Sequence, residues 1–377
     1  MEALRRQDPG AARSLLERAV TADPGDAEAW YGLALARRGL GDELGEMAAL
    51  DRVLTINADH LPALMMKADY FARVGDGRAA HAFYRAVATR TGDVALLPAD
   101  LKSEVRRAER ESARFADSYE THLLTSLAHA GFDPKTSSRR FSHGLDLLLG
   151  KRRLFQQAPT AFFYPELPHR QFYERAEFPW LVALEAETPI IRQELLDVLG
   201  EGDAFSPYVR TDPNRPRTAY GALLDNSDWS AYYLIRYGQV VAAARERCPR
   251  TFEALRTVPL TDAPGRTPAV LFSLLHPGVR IPPHNGYTNA RLICHLPLIV
   301  PGEGGLRVGN ETRHWIQGET LIFDDSIEHE AWNASGEVRV VLLFDIWRPE
   351  LSVEERRLVA ATLAAVGTYG GAVANWD

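Results

Sequence analysis

Two stretches decide how this chain is read: residues 281–301, IPPHNGYTNARLICHLPLIVP, and residues 322–333, IFDDSIEHEAWN. Each carries a histidine, His284 or His329, next to a short β-type run. They belong to a series between Ser273 and Trp347 that includes SLL, RLICHLPLIV, LRVG, ETLIFDD and EVRVVLLFDIW, punctuated by PG, NG and GEGG turns. Short strands at this spacing read as a compact antiparallel barrel or jelly roll. Histidines at strand ends can converge at the mouth of such a barrel while the aliphatic neighbours fill its walls. A mouth of that kind suits a metal ion.

Composition bounds the surroundings of this segment. The 377 residues, 46% hydrophobic and 25% charged, suffice for two or three packed domains. A net charge of -7, without Lys/Arg clusters interleaved with aromatics, argues against a nucleic-acid partner. The opening MEALRRQDPGAARSLLERAV has no apolar core of a signal peptide, and no later stretch approaches the ~20 apolar residues of a membrane helix. The expectation is a cytoplasmic protein with no membrane contact. Cys248 and Cys294, few and far apart, read as small buried hydrophobes of a reducing compartment.

Upstream, the chain repeats with a step of 34 residues, which links Asp8, Asp42 and Asp76, then Leu16, Leu50 and Tyr84, then Ala19, Val53 and Val87, then Trp30 and Leu64. Stacked helical hairpins require large and small residues at such packing positions. The segment resembles two and a half tetratricopeptide repeats, with Glu46 standing where that pattern prefers alanine. An irregular helical bundle is the alternative. Repeats of this type bind peptides or partner helices in a concave groove, and so short an array can equally pack against the next domain. Residues 94–135 continue with a 3.6-residue apolar period and paired charges, as a linking helical segment. Pro and aromatic residues then increase, so the expected domains are 1–93, 94–139 and 140–377. Within the last, helices are expected at 187–200 and 239–246, with a strand in WSAYYLIRYG between them. The fold class is α + β and multidomain.

Neutral imidazoles bind Fe, Zn, Cu and Ni, and His284 and His329 can meet only if the chain between them folds back. A non-haem iron site usually adds a carboxylate two positions after its first histidine, but that position is Gly286. Asp324, Asp325, Glu328 and Glu330 stand close to His329, and spacing alone does not choose among them. Both histidines could equally be hydrogen-bonded members of a β core.

The run from Ser273 through HPG, PPHNGYTNARL, HLPLIVP, LRVGNETRHW, GETLIFDDSIEHEAWN and FDIWRPEL is similar to the catalytic domain of the aspartyl/asparaginyl β-hydroxylase family. The likeness is dense over residues 225–352. These are 2-oxoglutarate oxygenases with a double-stranded β-helix (jelly-roll, cupin-like) fold, and several carry tetratricopeptide repeats ahead of it. The resemblance implies Fe(II) held by His284 and His329, with water in place of the carboxylate that Gly286 cannot supply. It also implies that Arg339, helped by the Ser273 hydroxyl, holds the distal carboxylate of 2-oxoglutarate, a task suited to a planar guanidinium. Alternation with Val338 and Val340 aims Arg339 off the core face of its strand. His295 matches a group that touches the iron-bound carboxylate, Trp229 an aromatic lining the pocket, and Arg291 a residue that meets a substrate carboxylate. Otherwise these would read as an exposed strand arginine, a turn hydroxyl and core residues. Asp324 and Asp325 are read either as partners that orient the imidazoles or as turn caps. Relatives often have arginine where Ile293 stands, so the missing charge must come from Arg291 or affinity for 2-oxoglutarate must fall.

The function implied is an Fe(II)- and 2-oxoglutarate-dependent dioxygenase that uses O2 to hydroxylate the β-carbon of an Asp or Asn residue in a peptide or protein, which the repeats could present. Similar domains act on free amino acids, biosynthetic peptides and acyl chains, so a small-molecule substrate is an alternative. Two further alternatives are a non-catalytic peptide-binding protein on the same scaffold, for which Ile293 speaks, and a cupin-like barrel holding Zn or Ni.

Overall fold

The computed structural model describes residues 6–91, 94–202, 204–211 and 221–368, so the expected domain limits at residues 93 and 377 lie outside the described residues. The chain divides into two compact units, Met1–Lys151 and Arg152–Asp377. The composition shift near residue 140 therefore falls inside the first unit, within helix Arg139–Leu148, rather than at the division.

In the first unit the 34-residue period marks helix starts. Asp8, Asp42 and Asp76 cap the helices Pro9–Ala22, Glu43–Ile56 and Gly77–Arg90, their carboxylates accepting from the amides of Ala11 (3.0 Å), Gly45 (2.9 Å) and Ala79 (2.9 Å). A second series at the same step, Asp26 and His60, caps Ala27–Gly39 and Leu61–Val74. Each helix packs on the next. Leu16, Leu50, Tyr84, Val53, Val87 and Leu64 are buried between them, whereas Ala19 on the first helix is exposed. Glu46 is buried beside Arg73, 3.5 Å away, and burial raises its pKa. The long helix Ala99–His129 contributes Val105 and Ala108 to this core and leaves most of its remaining surface to charged and polar residues.

The second unit is antiparallel throughout its strands. In chain order these are β1 (Phe172–Tyr173), β2 (Ser206–Pro207), β3 (Trp229–Arg236), β4 (Gln239–Val240), β5 (Val270–Leu275), β6 (Arg280–His284), β7 (Arg291–Ile299), β8 (Gly304–Val308), β9 (Glu311–Arg313), β10 (Leu321–Phe323), β11 (His329–Asn333) and β12 (Arg339–Trp347). One sheet runs β1-β10-β7-β12-β5-β3-β2, with β4 paired to β3, and the other runs β6-β11-β8-β9. Apolar side chains of both sheets, among them Leu275, Ile293 and Phe323 from the large one and Ile281, Leu306 and Ala331 from the small one, meet in a shared core. This is a jelly-roll sandwich. The other face of the large sheet is covered by helices Leu181–Ala186, Thr188–Gly200 and Pro249–Ala254.

The expected helix at 187–200 is present, but residues 239–240 are the return strand of a hairpin and the next helix is Ala242–Arg247. Tyr237 and Gly238 both have positive φ (54° and 76°), as a two-residue hairpin turn requires. No described helix is long and apolar enough to cross a membrane.

Arg348, fully buried, anchors the loop that follows β10. It donates to Asp324 (2.9 Å), the Asn289 carbonyl (3.1 Å), the Pro168 carbonyl (2.7 Å) and the Tyr173 hydroxyl. Replacing Arg348 with Met leaves Asp324 buried without its cation, and we expect a loss of about 3–5 kcal/mol in urea unfolding of the full chain. A double variant that also carries Asp324→Asn should recover part of that loss.

Candidate active site

Period-two alternation sorts the two central strands. On β7, Leu292, Cys294, Leu296 and Leu298 pack under the helices, while Arg291, Ile293 and His295 face the small sheet. On β12, Val340, Leu342, Phe344 and Ile346 take the helix side, and Arg339 and Leu343 turn inward. Between the sheets lies a cavity of about 110 Å³. Trp229, Ser273, His284, Arg291, His295, His329 and Arg339 all line it, so residues spread over more than a hundred positions share one wall.

His284 closes β6 and His329 opens β11, and the register places them directly opposite each other with ring centroids 4.1 Å apart. In each ring Nδ1 lies against a backbone carbonyl two residues back, Pro282 at 2.8 Å and Ile327 at 3.1 Å. An Nδ1–H donating to a carbonyl leaves the lone pair on Nε2. Burial lowers the pKa of both rings, and for His329 the neighbouring His284 adds to the effect. Two neutral imidazoles with the tautomer fixed are the donor set a divalent transition metal takes. Among the described residues no third histidine, cysteine or carboxylate completes a cluster with them.

Arg339 is 2% exposed. It donates to the Ser273 carbonyl at 3.3 Å and lies 4.6 Å from the centre of the Trp315 ring, but its Nε has no partner and no carboxylate among the described residues offsets its charge. Burial alone brings its pKa down to about 9. His295 is next to it, with its Nδ1 unpartnered, and burial together with the arginine charge lowers its pKa to about 3. This end of the cavity is short of one anion.

The opposite end is differently balanced. Arg291 donates to Asp345 (2.9 Å) and to Asp325 (3.0 Å), and all three are buried or nearly so. The guanidinium expected to meet a substrate carboxylate is thus already held between two acids. Asp325 has its pKa raised to about 6 by burial, against the lowering pull of Arg291. Its carboxylate fills the space beside Gly286, where an added Cβ would stand 2.0 Å from Oδ2. Asp324, by contrast, accepts from Arg348, Ser326 and Gln157, and serves the turn rather than the cavity.

The structure adds further residues to the surroundings of this cavity. Tyr208 stacks on Trp229 at 4.2 Å, and Trp229 in turn donates to the Ser273 hydroxyl at 3.3 Å. Nothing in the local sequence pairs Tyr208 with that tryptophan; the β2–β3 contact does. Asp345 carried a usable signal, because it lies on the inward face of β12 in step with Arg339. Asn285 and Tyr287 also line the cavity.

Residues 185–349 match the family model of aspartyl/asparaginyl beta-hydroxylase, a span that contains every one of the cavity residues named as candidates. This segment is a domain of the aspartyl/asparaginyl β-hydroxylase family. A tetratricopeptide-repeat model matches residues 1–38. The hydroxylase-family region is 36% identical over 180 residues to the aspartyl/asparaginyl beta-hydroxylase of Homo sapiens, covering 48% of this chain and 22% of that protein. It is 35% identical over 191 residues to the ornithine lipid ester-linked acyl 2-hydroxylase of Rhizobium tropici, covering 49% of this chain and 63% of that one. Aspartate beta-hydroxylase domain-containing protein 2 of Homo sapiens is 30% identical over 204 residues, with 53% of each covered. The chain therefore spans less than two thirds of each of these relatives. Among solved structures, a Cupin 2 conserved barrel domain protein from Salinispora arenicola aligns at TM-score 0.23 and 14% identity, over 40% of this chain and 98% of that one.

Two outcomes test this geometry. Gly286→Ala should cost about 1–3 kcal/mol in urea unfolding, because the Asp325 carboxylate must move, and adding Asp325→Ala should remove most of that increment. Protonation gives the second. His295 in the folded state titrates at about 3, below the ordinary ~6.5 of the unfolded chain, so below pH 6.5 the unfolded chain takes a proton that the folded one refuses. Stability of the metal-free protein should fall by roughly 2 kcal/mol through this residue between pH 7 and pH 5, and the loss should be smaller in His295→Gln.

Proposed function

We propose that the family domain is an Fe(II)- and 2-oxoglutarate-dependent hydroxylase acting on the β-carbon of an Asp or Asn side chain in a peptide or protein. The observation that carries this reading is Arg339, a buried cation lacking a counter-ion among the described residues, in the same cavity as two neutral imidazoles with fixed tautomers. That combination asks for a metal and an anion together, which a chelating dicarboxylate cosubstrate provides.

In this reading His284 and His329 would hold the metal, each with Nδ1 engaged by a backbone carbonyl and Nε2 left to donate its lone pair. Arg339 takes the distal carboxylate of 2-oxoglutarate in a charge-assisted pair, with the Ser273 hydroxyl oriented toward it by Trp229. His295, held neutral on the same wall, would contact the cosubstrate. When bound, iron and 2-oxoglutarate supply the oxidising chemistry, in which O2 is consumed and succinate and CO2 are released along with the hydroxylated product. The chain positions the reactants and keeps the cavity dry with Ile281, Leu306, Phe323 and Ala331. Ile293, where relatives often have arginine, adds to that apolar lining. The helical repeats of the first unit are a candidate surface for holding a peptide substrate.

A second reading, hydroxylation of an acyl chain, is favoured by the 35% identity to the Rhizobium tropici lipid hydroxylase. The charged and polar wall formed by Arg291, Asp325 and Asn285 supports the peptide instead.

The experiment is an anaerobic titration of the full chain with Fe(II) and 2-oxoglutarate, following the visible charge-transfer band of the chelate. Wild type should develop the band and His329→Ala should not, while remaining folded. Arg339→Met should raise the dissociation constant for 2-oxoglutarate on the order of 100-fold, the loss of one charge-assisted bidentate partner. Failure of the wild type to bind 2-oxoglutarate, by this band and by calorimetry, would remove the oxygenase reading in favour of a binding protein or another metal.

A further inference from the structure

Three polar atoms on the wall around Arg291 make no hydrogen bond among the described residues: the Tyr287 hydroxyl, Arg291 Nε and Asp325 Oδ1. Tyr287 is the most telling. It is 8% exposed, lines the cavity, and lies against Arg291, whose guanidinium is 4.0 Å from the centre of its ring. A buried hydroxyl left without an acceptor is costly to the fold, and a ligand that brings an acceptor removes that cost. Burial pushes the Tyr287 phenol far above its ordinary range, so the group is neutral and acts as a donor.

Charge then limits what can be accepted. The Arg291 guanidinium is already bonded to Asp325 and Asp345, and Arg266, the other cation acting on Tyr287, does not line the cavity. A carboxylate entering here would face Asp325 with the charge of Arg291 already offset. A carboxamide would meet a complementary pair, its carbonyl accepting from Tyr287 and its N–H donating to the unpartnered Oδ1 of Asp325.

We propose that Tyr287 is a substrate-binding residue that donates to the carbonyl of a carboxamide, so that this domain selects an asparagine side chain over aspartate. The assignment rests on the oxygenase reading for where the substrate binds, and it deepens that reading by naming the side chain. Selectivity follows from a neutral donor and an anionic acceptor that both lie against Arg291 on the cavity wall, an arrangement that penalises a second carboxylate.

The test uses the full chain under anaerobic conditions with Fe(II) and 2-oxoglutarate, and two small probes, N-acetyl-asparagine N-methylamide and N-acetyl-aspartate N-methylamide, titrated by calorimetry. Wild type should bind the asparagine probe about tenfold more tightly than the aspartate probe. Tyr287→Phe should weaken the asparagine probe about tenfold, the loss of one neutral hydrogen bond, and leave the aspartate probe and 2-oxoglutarate binding within about twofold. Because the hydroxyl has no partner among the described residues, Tyr287→Phe should also unfold at the same or a higher urea concentration than wild type. Preference for the aspartate probe, binding of neither probe, or unchanged asparagine affinity in Tyr287→Phe overturns the assignment. If wild type does not bind 2-oxoglutarate, the oxygenase reading has failed; if it does and Tyr287→Phe changes nothing, only the asparagine assignment has.

Discussion

The pairing of β6 with β11 is the constraint on which the rest of the cavity depends. It sets His329 opposite His284 although the two are far apart in the chain, and β8 holds the other side of β11 with Val308 opposite the same histidine. Side chains alternate faces along a strand, so a slip of one residue would turn one imidazole outward and leave the other alone in an apolar wall. The register shift between His329 and Ala331 confines the irregularity to the end of the strand that meets the histidine pair. Carbonyls of Pro282 and Ile327 then set the tautomers. The site is a consequence of backbone pairing before it is one of side-chain chemistry.

Three buried arginines show how the same side chain takes different roles according to its partners. Arg348 has its donors distributed over a carboxylate, two carbonyls and a phenol, and it acts as a structural anchor. Arg291 is shared by two carboxylates yet keeps one N–H unpartnered on the cavity wall. Arg339 has a carbonyl and an indole face but no anion among the described residues. Desolvating a guanidinium is expensive in each case, and the extent to which the fold offsets that cost separates scaffold from binding group. On this criterion Arg339 is the position where a ligand adds most.

Much of the architecture was legible because it is periodic. Aspartates 34 residues apart cap successive helices, since only a short acceptor side chain satisfies the free amides of a first turn, and the positions that follow at the same step fill the interhelical core. In β7 and β12 the alternation of aliphatic residues announced which face would pack and hence which way Arg291, His295 and Arg339 would point. The local errors have local causes. Residues 239–240 were assigned to a helix because the hairpin at Tyr237 and Gly238 demands positive φ from a tyrosine, a residue that gives no turn signal. The division near Lys151 was displaced because helix Arg139–Leu148 follows the change in composition yet belongs to the first unit.

By itself the sequence determined the two architectures and the inward face of each central strand. All of these follow from periodicities of 34, 3.6 and 2 residues and from turn chemistry, which are properties of neighbouring positions. The tertiary structure alone decided who pairs with whom: Arg291 with Asp325 and Asp345, Tyr208 with Trp229, the Asp325 carboxylate with the space beside Gly286, and the Tyr287 hydroxyl with no partner among the described residues. Those contacts depend on which strands and loops become neighbours, and a charge or hydroxyl in a dry interior acquires its meaning from the partner it finds or lacks there.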